Sequence, residues 1–468
     1  MSTTETTRRA LTRFFSPQRE RRARRALSPE SLLVLGFAAV ILVGSLLLML
    51  PWSRTGDDAN YLTSLFMATS AVCVTGLIVV DFPNYYTPFG QAVILVLIQI
   101  GGLGVMTGAA LIFRAVGRRL SLRSQAALQD SLVQMEAASD FRRIFRMILV
   151  LTFGIEAIGA VLLFVGFSLR GGPADAVFPA IFQAVSAFCN AGFSTFSDSL
   201  IGFQGEPLIV WTVMALILSG GIGGIVLIEL LDRVRGRGTA NGVRSQKLSL
   251  HARTVLWASA ILVVAGTAGL LLFGLTPEET GTFDSFQAAL FQSITSRTAG
   301  FNTVGIGELP PASLLIIVLL MFIGGSPGST AGGVKTTTAA LWVGELWSSV
   351  RRRDEVVLFD RAVKPAIVRR SMLLINLAVA WNFVGVILLM WFEGTEEFGF
   401  MELFFEQISA FGTVGLSTGP TSTLSAVSQI WIIVTMFLGR LGPLVLAAWI
   451  LGAHKSKVHH AYGDLLIG

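Results

Sequence analysis

The chain has 468 residues, 53% of them hydrophobic and only 14% charged, with a formal net charge of +6 and a mean hydropathy of +0.70. Soluble domains carry about 25% charged residues, so this composition excludes a soluble enzyme and describes a polytopic membrane protein. The two cysteines, Cys73 and Cys189, exclude a secreted-type disulfide framework, and they read as small residues in tight loops.

In chain order, residues 1–30 form a basic tail with eight arginines between Arg8 and Arg25, a solvated arm attracted to anionic lipid. Runs with little or no charge follow at 31–50, 89–113, 147–169, 207–228, 254–275, 313–343, 371–392 and 424–453. Each meets the requirement of about 20 residues for a spanning helix, which predicts eight spans. The first run is too long for a signal-peptide core and continues into Pro51-Trp52 without a small-residue cleavage site, so it is expected to stay in the membrane. Of the 35 lysines and arginines, thirty fall on one side of these spans: in the tail, in 114–146, 233–253 and 351–370, and at Lys455 and Lys457. Acids such as Glu278, Glu279, Asp284, Glu393, Glu396 and Glu397 populate the opposite loops. The positive-inside rule then predicts cytoplasmic termini in a plasma (bacterial inner) membrane. The net charge reports topology, so nucleic acid is not an expected partner. Connections of about 20 to 30 residues are too short for a catalytic or nucleotide-binding domain of about 50 or more. His251, His454, His459 and His460 all lie on the cytoplasmic side, leaving no intramembrane nucleophile and base; no enzyme is expected.

A unit recurs four times. Phe66-Met-Ala-Thr-Ser-Ala-Val-Cys-Val-Thr-Gly76, Phe182-Gln-Ala-Val-Ser-Ala-Phe-Cys-Asn-Ala-Gly192, Phe291-Gln-Ser-Ile-Thr-Ser-Arg-Thr-Ala-Gly300 and Phe405-Glu-Gln-Ile-Ser-Ala-Phe-Gly-Thr-Val-Gly415 share one pattern, the third being one residue shorter. Each is led by an amphipathic segment too short to span, beginning near Tyr61, Val177, Thr282 and Gly399, and each is followed by turn residues. The predicted fold is therefore an all-α membrane protein of four tandem helix–pore loop–helix repeats around a pseudo-fourfold central pore. Its repeats are 31–116, 144–232, 252–350 and 366–454, with a tail at 455–468. Non-helical backbone at membrane depth must be enclosed by protein or line water. Four loops meeting at one axis satisfy that condition, and a ring of their carbonyls can replace the hydration shell of a monovalent cation. The candidate filter is Val74, Thr75 and Gly76; Asn190, Ala191 and Gly192; Thr298, Ala299 and Gly300; Thr413, Val414 and Gly415, with the cation held by backbone carbonyls. The competing reading is that these glycines only permit close helix packing; four in register favour the filter.

The sixth run is interrupted by Gly324, Gly325, Ser326, Pro327, Gly328, Ser329, Thr330, Ala331, Gly332 and Gly333, more helix breakers than a continuous helix accepts. A phosphate loop would need Gly-Lys-Ser/Thr, but Val334 stands before Lys335, so no nucleotide is expected on this chain. A flexible polar loop over 324–338 would instead block the pathway, or act as a passive kink. Arg440 stands near the centre of its run, where a charge costs about 2.5 to 3.5 kcal/mol. It is expected to hydrogen-bond loop carbonyls and to raise the barrier to cations. Lys335 either joins the loop or snorkels to the cytoplasm. Glu156, alone in the third run, packs against hydroxyls or glycines or else binds a co-ion.

These four loops, the run Gly324 to Thr338, the segment Phe437-Leu-Gly-Arg-Leu-Gly-Pro443 and the ending Gly463-Asp-Leu-Leu-Ile-Gly468 together resemble the Trk/Ktr/HKT superfamily of potassium translocation subunits, over about residues 30–468. A single predicted span before the first loop places the likeness nearest the Ktr type. The resemblance implies potassium preference, because Gly76 is glycine where plant-type sodium variants have serine. It also implies an intramembrane gate at 324–338, sodium as a further ion, a homodimer with the terminus at Gly468 in its interface, and a cytosolic ring of RCK-type nucleotide-binding regulatory subunits. A coupled secondary transporter with alternating access is the alternative; it predicts inverted repeats around a midplane site, whereas the repeats here are parallel.

Overall fold

Proline and short polar caps decide where the helices begin. In the computed structural model, which describes residues 29–56, 60–116, 138–235, 239–240, 243–244, 248–275, 281–394 and 397–442, fourteen principal helices run in chain order. The first repeat holds α1 (Pro29–Leu48), α2 (Tyr61–Cys73) and α3 (Pro88–Val116). The second holds α4 (Ala138–Gly171), α5 (Pro173–Cys189), α6 (Pro207–Ile222) and α7 (Gly224–Val234). The third holds α8 (Leu250–Phe273), α9 (Thr282–Thr295), α10 (Pro311–Phe322) and α11 (Thr336–Val350), and the fourth α12 (Pro365–Glu393), α13 (Phe400–Gly412) and α14 (Ala426–Leu441). Proline is the first residue of α3, α5, α6, α10 and α12, where its missing N–H has no helical partner to lose. Elsewhere side chains cap: Asn60 accepts from Leu62 N, Ser249 from Ala252 N and Ser425 from Ser428 N. Two short antiparallel ribbons, Thr239–Ala240 with Val243–Arg244 and Val357–Leu358 with Arg361–Ala362, lie in connecting segments.

The short helices α2, α5, α9 and α13 form the core. Their equivalent phenylalanines, Phe66, Phe182, Phe291 and Phe405, are all fully buried. At about 1.5 Å per residue, the 13 residues of α2 or α13 stop well short of crossing a bilayer. Within a repeat, the preceding long helix packs on the short one (α1 on α2, α4 on α5, α8 on α9, α12 on α13). The following helix packs on the short helix of the next repeat: α3 on α5, α6 on α9, α10 on α13, and α14 back on α2. Large apolar side chains are left on the outer faces of the long helices, among them Phe153 and Val161 on α4, Trp257 and Val264 on α8, and Phe383 and Trp391 on α12. Such bands suit a hydrocarbon environment.

Sequence expectation and structure differ at several places. Among the described residues three helices are long and apolar enough to cross a membrane as they stand: Phe145–Gly171, Leu250–Phe273 and Pro365–Glu393. The run 207–228 is not one straight span, because Gly223, at φ 92°, turns α6 into α7 through 104°. The expected break in the run 313–343 falls between Phe322 and Thr336, whereas the last run departs from expectation in that α14 ends at Leu441, where Gly442 takes φ 87°. The second short helix starts at Pro173, four residues ahead of the expected Val177, because Gly172 at φ 91° and Pro173 together set the turn. The basic tail with Arg8 to Arg25, the remainder of the last run beyond Gly442, and the C-terminal tail with Gly468 lie outside the described residues.

Candidate functional site

Each short helix is stopped by the same device. Val74, Asn190 and Thr413 follow α2, α5 and α13 in the left-handed conformation (φ 56°, 59° and 50°), and the glycine two residues later also has positive φ: 91° at Gly76, 70° at Gly192 and 93° at Gly415. In repeat three the helix ends earlier, at Thr295, but Thr298 (φ 78°) and Gly300 (φ 82°) repeat the pair. The missing residue is absorbed in the closing hydrogen bond. Thr75 N donates to Ser70 O (2.8 Å), Ala191 N to Ser186 O (2.8 Å) and Val414 N to Ser409 O (2.9 Å), each reaching back five residues; Ala299 N reaches back four, to Thr295 O (2.8 Å). Serine hydroxyls then pin the loops, with Ser70 Oγ accepting from Gly76 N, Ser409 Oγ accepting from Gly415 N, and Ser186 Oγ donating to Phe193 O.

The four glycines touch one another in sequence order. A Cβ added to Gly76 would stand 2.5 Å from the Ala191 carbonyl oxygen, and one on Gly192 would stand 2.9 Å from Ala299 O. A Cβ on Gly300 would run into Val414 O, and one on Gly415 into Thr75 O, so the contacts pass from repeat one to four and return to one. The Oγ1 atoms of Thr75, Thr298 and Thr413 are buried here without a hydrogen-bond partner. Neutral oxygens therefore crowd this point. No group of three or more His, Cys, Asp or Glu side chains able to hold a metal occurs among the described residues. That donor set suits a monovalent cation, whereas calcium-type sites rely on carboxylates.

On one side of the loops lies a cavity of about 270 Å³, lined by all four glycines together with Asp81, Ser194, Asp198, Asn302 and Ser417. Asp81 accepts from Asn84 Nδ2 (2.6 Å) and Ser197 Oγ (3.2 Å), so the first two repeats are tied across this mouth. On the other side lies the broken segment of repeat three. Ser326 N donates to Gly221 O (3.0 Å), Ser326 Oγ donates to Ile222 O, and Thr330 N approaches Gly220 O (3.4 Å), binding the segment to the bend between α6 and α7. Its own ends close on each other through Gly324 N to Val334 O and Thr336 N to Gly325 O. It reaches three of the four loops: Asn190 lies 3.2 Å from Thr330 Oγ1, a Cβ on Gly324 would meet the Thr298 methyl at 3.0 Å, and one on Gly332 would run into Thr413.

Three cationic side chains hold this segment by its carbonyls. Arg440 Nη1 donates to Thr330 O and Nη2 to Gly101 O on α3 (2.7 Å). Lys335 turns back so that Nζ donates to Ala331 O, which is not a snorkelling geometry. Arg297 Nη2 donates to Gly324 O and to Ser259 Oγ, both at 3.2 Å. Arg297 and Arg440 are buried, and among the described residues the one salt bridge is Arg170 with Glu206, far from this region. Among the described residues, their charge is hydrogen-bonded by backbone and hydroxyl oxygen. Glu156, on α4, is buried between repeats one and two, where its carboxylate accepts from Gln99 Nε2 on α3 (3.1 Å) and meets Cys189 Sγ (3.9 Å). Cys73 and Cys189 are free and buried.

A family model described as TrkH, cation transport protein, matches residues 17–457. The Ktr system potassium uptake protein B of Bacillus subtilis is 34% identical over 447 residues, covering 94% of this chain and 97% of its own length. The protein of the same name from Vibrio alginolyticus is 36% identical over 463 residues, covering 97% and 98%. The chain belongs to the TrkH cation transport family. The potassium/sodium uptake protein NtpJ of Enterococcus hirae is 34% identical over 454 residues, with 95% and 98% covered. The crystal structure of the potassium transporter TrkH from Vibrio parahaemolyticus shares the fold, with a TM-score of 0.67 at 21% identity over 92% of this chain and 86% of that one.

As a TrkH-family chain, the protein is a multi-pass membrane protein in which the filter residues expected from sequence converge and the broken segment lies against them. Sequence reasoning did not assign Arg297 a role. Its signal was available, since it is the one charge in four otherwise similar loops apart from Glu406. Nor was Gly223 singled out as the residue at which α6 bends, because Gly220 and Gly221 beside it carry the same signal; Gly220 instead presses on Phe188 O, as Gly101 presses on Val72 O and Gly439 on Phe411 O.

Proposed function

We propose that this chain is the ion-translocating subunit of a potassium uptake system. K+ passes through a filter of backbone carbonyls at Thr75–Gly76, Ala191–Gly192, Ala299–Gly300 and Val414–Gly415, in a pore with approximate fourfold symmetry built from four repeats and eight crossings. The observation that carries this reading is the closed circuit of glycine-to-carbonyl contacts through all four repeats. The short helices α2, α5, α9 and α13 end at this circuit, so their partly negative C-terminal ends favour a cation there without any side-chain charge.

The segment 324–338 acts as the gate. Arg440, Lys335 and Arg297 hold it across the pathway, and their charges raise the barrier to a passing cation. Conduction down the membrane potential supplies the driving force: about 2.3 kcal/mol per charge per 100 mV supports roughly fiftyfold accumulation without ATP hydrolysis on this chain. Homologues named as B components of Ktr systems support assembly with a cytosolic regulatory partner, for which an RCK-type nucleotide-binding ring acting on the gate is the expected form. A homodimer and sodium as a second ion belong to the same reading, the latter supported by the name of the Enterococcus relative.

Complementation tests the reading. Expressed in a cell that lacks potassium uptake, the chain with a co-expressed cytosolic Ktr-type regulator is expected to restore growth at low potassium. Growth that stays dependent on high potassium, with the protein present in the membrane, would contradict it.

A further inference from the structure

In repeats two and four the residue that follows the recurring phenylalanine bonds to the second residue after the glycine, and the chemistry at these two positions differs in every repeat. In repeat one the pair is Met67 and Ile78, with no polar atom to share. In repeat two Gln183 Nε2 donates to Ser194 Oγ at 2.7 Å. In repeat three it is Gln292 and Asn302; both amide atoms of Gln292 are buried without a partner, and Asn302 Nδ2 turns to Val304 O. In repeat four it is Glu406 and Ser417.

Glu406 is fully buried, yet no cation faces it among the described residues. Its carboxylate is held entirely by the outgoing limb of its own loop: Ser417 Oγ donates to Oε1, Thr421 Oγ1 donates to Oε2 (2.7 Å), and the backbone of Thr418 hydrogen-bonds it. Ser417 Oγ in turn accepts from Gly419 N at 2.9 Å. A buried carboxyl group is costly unless it is hydrogen-bonded, and donors from Ser417, Thr418 and Thr421 meet this one. This is the most extensively hydrogen-bonded of the four positions. It joins the short helix α13 below Gly415 to the chain directly above it, and so restrains Thr413–Gly415, whose carbonyls face the pathway.

We propose that Glu406 is a specificity-determining positioning residue, a strut that fixes the fourth filter loop and thereby the discrimination between potassium and sodium. A smaller ion is rejected only while the oxygens cannot close around it. The equivalent positions carry one hydrogen bond in repeat two and none in repeats one and three, so the fourth loop sets the stiffness of the ring. This rests on the function proposed above.

The test uses the full-length protein in liposomes, reading the K+/Na+ permeability ratio from reversal potentials under bi-ionic conditions. Glu406→Met, which copies the residue of repeat one, is expected to lower the ratio about tenfold while the protein remains monodisperse. Glu406→Gln, which copies repeat two and retains one acceptor, is expected to fall between. Thr421→Val is expected to lower the ratio in the wild-type background and to have no further effect beside Glu406→Met, as for two members of one network. Should Glu406→Met fail to fold, Glu406→Gln and Thr421→Val carry the test alone. Folded variants with the wild-type ratio, or with potassium and sodium flux reduced in equal proportion, would overturn the proposal. A wild-type protein that shows no potassium preference would instead overturn the function on which it rests.

Discussion

Gly76, Gly192, Gly300 and Gly415 combine two demands that no other residue meets: a left-handed backbone and a neighbouring carbonyl where a Cβ would stand. The space is tightest at Gly300 and Gly415 and least tight at Gly192. Serine at any of the four is expected to lower the K+/Na+ permeability ratio, by about tenfold or more at Gly300 and Gly415 and by less at Gly192. Four folded serine variants of unchanged ratio would remove the filter assignment. Arg440 was recognisable from sequence as an intramembrane charge, but its partners were not, because Thr330 and Gly101 are distant in the chain and meet only through folding. Replacing Arg440 with alanine removes charge-assisted bonds worth about 1.5 to 3 kcal/mol each. At 1.36 kcal/mol per decade, cation flux in liposomes is expected to rise by about tenfold or more. Arg297→Gln, which releases the other end of the segment at Gly324, is expected to raise flux in the same direction but to disturb selectivity as well, since Arg297 adjoins the filter residue Thr298. Flux equal to wild type in both variants would contradict the barrier role.

At the scale of elements, the four short helices and the loops after them were legible because their pattern recurs, and recurrence separates a functional glycine from one that merely fits. The interruption of the third repeat was legible because glycine and proline at that density cannot stay helical. The bend of α6 into α7 was not legible to the residue. Gly220, Gly221, Gly223 and Gly224 give one undivided signal, and only packing against Phe188 and Ser326 decides that Gly223 is the one to turn. The start of α5 at Pro173 was missed for a related reason: an apolar period located the buried face, while the local Gly172-Pro173 chemistry set the true beginning. The segment 324–338 is anchored on repeat two by Ser326 Oγ, which donates to Ile222 O at the bend, and by Thr330 Oγ1, which donates to Phe188 O at the end of α5 (3.2 Å). Ser326→Ala together with Thr330→Val is expected to loosen that anchor and increase potassium flux several-fold at fixed voltage, while an unchanged flux would make the segment a passive kink.

At the scale of the molecule, helices following each loop pack onto the short helix of the next repeat, and the last returns to the first. Sequence periodicity counted four units without knowing whether they closed, because closure depends on contacts between residues some 340 positions apart, as between Arg440 and Gly101. The absence of exact equivalence is also physical. One loop is shorter, and the hydrogen bonds behind the loops differ from repeat to repeat, so the ring is not fourfold symmetric.

The central claim is conductive, potassium-preferring passage through the ring of glycine loops. Its most direct measurement is the current or tracer flux carried by the purified full-length chain in liposomes under an imposed voltage, with potassium and sodium compared. The account predicts flux that follows voltage, favours potassium, and loses that preference in Gly300→Ser. Flux independent of voltage, or a preference that survives in Gly300→Ser and its three counterparts, would contradict it.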